Sequence, residues 1–113
     1  MMTTERITIE EYESRLRALL GAGGLRVGFP KKRRDLWILL QAIAERFRDD
    51  ERLDEVEVNR RIASFLAERA PDWEMDRATL RRALVDEGFM ERDAGGTVYR
   101  SSTRYGRMIA FET

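Results

Sequence analysis

TLRRALVDEGFMERDAGGTVYR, residues Thr79 to Arg100, changes its periodicity halfway along, and that change decides the fold. Up to Glu87 its apolar residues Leu80, Ala83 and Leu84 recur at helical spacing. The spacing predicts a helix over 77–87, with Asp76 as its N-cap. Gly88 suits the left-handed position just past a helix end. Two short strands should follow, Phe89 to Arg92 and Thr97 to Arg100, around an Asp-Ala-Gly-Gly turn. In them Phe89 alternates with Met90, and Val98 with Tyr99. The segment reads as helix, glycine, hairpin.

Upstream, the same start signal recurs twice. Thr8 precedes a helical run with Glu11 three residues on, and Asp54 precedes another with Glu57 at the matching place. Ile7 with Tyr12, Leu53 with Val58 and Met75 with Leu80 can form apolar staples around the three caps. These signals predict helices over 9–20 and 55–69, burying Tyr12, Leu16, Leu19 and Leu20 in the first and Val58, Ile62, Phe65 and Leu66 in the second. Between them, from Lys32 or Arg34 to Phe47 or Arg48, the set Leu36, Leu39, Leu40, Ile43 and Phe47 has the spacing of a broad buried stripe. The run GAGG after Leu20 reads as a cap and link, and Pro71 stops the third helix. Tyr105, Met108, Ile109 and Phe111 predict a tail that docks on the core.

Three core helices followed by a hairpin give a mainly helical α+β domain on the plan of a winged helix, with an extra N-terminal helix. Residues 1–28 are expected to form that helix and its Gly-rich link, and 29–113 the winged-helix-like domain with its tail. The Leu53-Asp54-Glu55 segment is placed to add a third strand to the hairpin sheet.

Composition narrows the function classes. The 113 residues carry 21 basic and 21 acidic side chains, and no Cys or His. Disulfides, Cys/His zinc sites and Ser-His-Asp catalysis are therefore excluded. No enzyme activity, metal or cofactor is expected. The longest apolar run, Leu36 to Leu40, is too short to span a membrane, and a cytoplasmic location is expected. The charge is segregated along the chain: residues 29–48 hold six basic and two acidic side chains, a net +4, while 49–76 hold four basic and ten acidic, a net −6.

FPKKRRDLWILLQAIAERF, LDEVEVNRRI and DRATLRRALVDEGFMERDAGGTVYR together resemble the bacterial domain of unknown function 2087, over about residues 29–100. The shared features are basic residues after a proline, an acidic residue-Val-Asn motif, Leu-Arg-Arg, and a Gly-bounded hairpin ending in Tyr-Arg. Members stand alone or beside helix-turn-helix regulator domains, so the resemblance implies a link to transcription and no defined activity.

Two surfaces are candidates for binding double-stranded DNA. On the 77–87 helix, Arg77, Thr79, Arg81 and Arg82 would face the major groove, with Arg92 and Arg100 of the hairpin on neighbouring phosphates. Lys31, Lys32, Arg33 and Arg34 would add phosphate contacts, or instead pair with the acidic segment from Asp49 to Glu57. The alternative function is a protein-interaction module without DNA binding. It would use Tyr12, Leu16, Leu19 and Val85 to contact another regulator or a second copy in a homodimer. Asn59, polar on a mainly apolar-patterned helix, is expected to serve structure.

Overall fold

The computed structural model describes residues 5–21, 30–48, 50–71, 76–101 and 109–112, with side chains described at 6–21, 30–48, 50–71 and 76–101. The elements run β1 (Glu5–Thr8), α1 (Ile9–Leu20), α2 (Arg33–Ala44), β2 (Arg52–Leu53), α3 (Glu55–Arg69), α4 (Arg77–Asp86), β3 (Met90–Arg92), β4 (Tyr99–Ser101) and β5 (Ile109–Glu112). The fold is α+β and mainly helical. Phe29, the Gly-rich link, Asp49, Trp73, the Met75 staple, Tyr105 and Met108 lie outside the described residues.

The three expected caps form. Thr8 Oγ1 accepts from the Glu11 N–H at 3.1 Å, Asp54 Oδ1 from Glu57 at 2.8 Å, and Asp76 Oδ1 from Ala78 at 3.2 Å. Each satisfies a backbone donor that a helix start otherwise leaves unpaired. At the far end of α4, Phe89 N–H donates to Leu84 O at 2.8 Å and Gly88 N–H to Val85 O at 3.1 Å. This double bond pattern needs a left-handed residue at Gly88, which has φ +88°. Phe89, just beyond it, is buried as the apolar closure of the helix end rather than as the first strand residue. That displaces the expected Phe89–Met90 alternation, and both side chains point into the core.

α2 is the centre of the packing, with α1 on one side and α4 on another; α3 in turn packs on α4. Trp37, Ile38 and Ala42 are therefore buried along with the expected Leu39, Leu40 and Ile43, and a one-sided stripe understates the helix. The helix itself stops at Ala44, short of the expected end, yet Phe47 stays buried because the chain turns back over the core.

β2, β4 and β3 form an antiparallel sheet in that order, so the expected third strand pairs with the hairpin. Its registers are Leu53↔Tyr99 and Arg92↔Tyr99 on one row, and Arg52↔Arg100 and Glu91↔Arg100 on the next. Asp93 closes the hairpin turn: its carboxylate accepts from the N–H of Thr97 at 2.8 Å and of Val98 at 3.1 Å. A second, two-stranded parallel sheet joins β1 to β5, pairing Ile7 with Phe111. Ile7, Tyr12, Leu16 and Leu19 belong to the same core as α2 to α4, so the N-terminal helix is built into the domain rather than appended to it.

Among the described residues, the acidic segment pairs with arginines outside the Lys31 cluster. Arg61 binds Glu51 through two bonds of 2.8 Å and Glu57 at 3.0 Å, while Arg60 also pairs with Glu57 and Asp50 with Arg100. The expected pairing with residues 31–34 is thus replaced by arginines that lie later in the chain. Arg61 also reaches the Arg46 carbonyl at 3.3 Å and lies 5.4 Å from the Phe47 ring, locking the turn between α2 and β2.

Two tests follow from these contacts. Gly88→Ala should lower stability by about 1 kcal/mol in urea unfolding, because a Cβ is disfavoured in the left-handed region. The Arg61 hydrogen bonds, then the Arg48 N–H, pull the Glu51 carboxyl from 4.5 down to about 2. Its stabilisation is present above pH 4.5 and is lost as pH falls toward 2. Acid unfolding of Glu51→Gln should therefore show a flatter pH dependence across that interval than the parent chain.

Candidate nucleic-acid interface

On α4, successive residues turn by about 100°, which divides its arginines between two roles. Leu80 and Leu84 are buried, and Arg81 lies on their flank. Its Nη1 donates to Asn59 Oδ1 at 2.6 Å, its Nη2 lies 3.0 Å from Glu55 Oε1, and its guanidinium is 5.8 Å from the Tyr99 ring centre. Only 12% of the Arg81 side chain is exposed. Arg81 thus bridges α3, α4 and β4, and it is not presented to a groove. The Asn59 side chain, expected to serve structure, accepts from this guanidinium.

Arg77 and Arg82 are exposed and form no ion pair among the described residues. Thr79 is half-buried and its hydroxyl donates to Asp76 at 3.4 Å, which ties it to the helix cap. On the hairpin, Arg92 is exposed and lies over Gly96, a glycine with φ +71°. Arg100 is engaged by Glu91 and, at 3.4 Å, by Asp50. Arg92 is the register partner of Tyr99, and Arg81 covers Tyr99. Among the described residues, Arg77 and Arg82 on α4 and Arg92 on β3 are exposed guanidiniums with no ion pair.

The Lys31 cluster sits elsewhere. Arg34 pairs with Glu11 at 3.2 Å, and Asp35 accepts two 2.8 Å bonds from Arg15. Arg33 stacks 5.5 Å from the Trp37 ring centre, and Trp37 Nε1 donates to Glu87 at 2.7 Å. These contacts tie the start of α2 to α1 and to the C-terminal end of α4. Arg77 is ten residues before Glu87, about 15 Å along a helix. The Trp37–Glu87 bond places the cluster toward the C-terminal end of α4 rather than at Arg77, and Lys31 and Lys32 themselves are exposed. Asp35 escaped the sequence reading; it is 8% exposed, and the Arg15 hydrogen bonds hold its carboxyl below the usual range.

The expected protein-contact stripe is corrected in a similar way. Tyr12, Leu16 and Leu19 are buried against the chain's own core, and the Tyr12 hydroxyl donates to Glu45 at 3.4 Å. Burial raises the Tyr12 hydroxyl well above the ordinary tyrosine value, with Glu45 adding to the shift. A homodimer through these three residues has no exposed stripe to use. Val85 is half-buried and packs on the core.

Arg81→Ala should cost about 2 kcal/mol in urea unfolding, since it leaves Asn59 without its donor and Tyr99 without its cation. Arg81→Lys should recover only part of this, because an ammonium cannot serve both partners in the guanidinium's planar geometry.

No helix among the described residues is long and apolar enough to cross a membrane. No group of three or more His, Cys, Asp or Glu residues that could hold a metal occurs among them either. No curated protein and no solved structure matches the chain. A family model described as an uncharacterized protein conserved in bacteria (DUF2087) matches residues 27–101, the region that carries the proline-basic, Glu-Val-Asn, Leu-Arg-Arg and Tyr-Arg features. Three of those features meet at one guanidinium, since Arg81 contacts both Asn59 and Tyr99. The chain belongs to this DUF2087 family of bacterial proteins.

Proposed function

We propose that the protein is a transcription-associated module that binds double-stranded DNA through α4 and the β3–β4 hairpin. The observation that carries this reading is the set of three exposed guanidiniums, Arg77, Arg82 and Arg92, that have no ion partner among the described residues. The reading takes the element order α2–β2–α3–α4–β3–β4, with sheet order β2–β4–β3, as a winged-helix plan, an analogy at the level of fold alone. In this arrangement α4 enters the major groove and the hairpin acts as the wing. Arg77 at the helix start and Arg92 on the wing grip phosphates. Arg81 links α4 to the sheet through Tyr99, and Arg100 pairs with Glu91 within the hairpin. A zero net charge keeps non-specific attraction to polyanions low, so binding depends on this local patch.

A protein-interaction role without DNA is the weaker reading, because the apolar residues it needs on α1 are buried.

Affinity of the full chain for a duplex oligonucleotide should fall steeply with salt. Each phosphate contact adds about 0.9 to the slope of log affinity against log salt. An Arg77→Ala/Arg92→Ala variant should lose roughly two such units of slope. Lys31→Ala/Lys32→Ala should leave the slope unchanged. Absence of binding at low salt, or a slope that depends on Lys31 and Lys32 alone, would refute the proposal.

A further inference from the structure

The outward line of α4 holds Ala78, Arg82, Val85 and Asp86, opposite Leu80 and Leu84. Its four members differ in what they can offer a ligand. Val85 packs on the core, and Asp86 is exposed and anionic, so the C-terminal half of the line repels phosphate. Ala78 presents only a methyl group and lets another molecule approach the helix closely. Arg82 lies one turn beyond Ala78. Helical side chains lean toward the N-terminus, so the Arg82 guanidinium covers the surface above Ala78.

Arg81, the adjacent arginine, is held by Asn59, Glu55 and Tyr99 and cannot share this role. Arg77 is at the first helical position, and its angle about the axis is close to that of Leu84 rather than on this line. Arg82 is therefore the one guanidinium on the outward line of α4 that is free to form a two-pronged contact.

We infer that Arg82 is the base-reading residue, forming a bidentate contact with the O6 and N7 of one guanine in the major groove of duplex DNA. The inference rests on the proposed DNA binding and adds the ligand's chemistry at one position. Arginine matches the two guanine acceptors with two parallel donors, and an ammonium does not. The major groove of an RNA duplex is too deep and narrow for the same approach, so the nucleic acid is DNA.

The test is selection of binding sites from a random-sequence duplex library, with the full chain and with its Arg82→Lys variant. Lysine keeps the charge and removes the planar fork. The parent chain should select a site with one fixed guanine. Arg82→Lys should lose preference for that base by on the order of 10- to 100-fold while keeping its affinity for unselected duplex. A matched RNA duplex should bind no better than unselected DNA. If both proteins select the same base, or the parent selects none while still binding duplex DNA, the Arg82 inference is overturned and DNA binding stands. If neither protein binds any duplex at low salt, DNA binding falls and the inference with it.

Discussion

The guanidinium of Arg81 is the contact on which the arrangement of this domain turns. It reaches the first two turns of α3 through Glu55 and Asn59, and it stacks on Tyr99 in the central strand of the sheet. Helix-to-helix packing alone fixes α4 through Leu80 and Leu84, which leaves it free to rotate by small amounts about that apolar stripe. Arg81 removes that freedom with directional bonds on one flank. Arginine suits this position because its donors diverge in one plane, while its face covers an aromatic ring. With Arg81 engaged inward, its neighbour Arg82 must face outward, since consecutive helical residues are about 100° apart.

A second constraint holds the two ends of the chain. β1 and β5 pair in parallel, and α1 lays Tyr12, Leu16 and Leu19 against the core around α2. The Asp35–Arg15 pair then joins α1 to the start of α2 through two bonds between a buried carboxylate and a half-exposed guanidinium. An aspartate in the first turn also offsets the unfavourable position of Lys31, Lys32, Arg33 and Arg34 at the positive end of the helix. The basic run is therefore accommodated locally by Asp35, Glu11 and Trp37, and the acidic segment that follows is matched by Arg60, Arg61, Arg81 and Arg100.

The helices and their starts were legible because they are local. Thr8, Asp54 and Asp76 each carry their signal within four residues, and Gly88 marks the end of α4 by itself. The third strand was legible for the same reason, from its place just before the Asp54 cap. The β1–β5 pairing was not, because it joins segments about a hundred residues apart and each strand is only four residues long. Arginine roles were the hardest to read. Angle along α4 puts Arg81 and Arg82 on nearly adjacent lines, and only the presence of Asn59 and Tyr99 beside one of them separates a structural cation from a free one. The same holds for Tyr12, Leu16 and Leu19, whose stripe is equally suited to a partner or to the chain's own α2 until the packing is known.

The proposed role of the domain follows from this separation of inward and outward arginines, and it concentrates DNA contact on one helix and one hairpin. The most direct measurement is a ¹H–¹⁵N correlation spectrum of the full chain titrated with a short DNA duplex at low salt. The account predicts shifts concentrated at Arg77, Ala78, Arg82 and the hairpin around Arg92, with the amides of Lys31 to Arg34 little changed. Shifts confined to Lys31–Arg34, or no shifts at any duplex concentration, would contradict it.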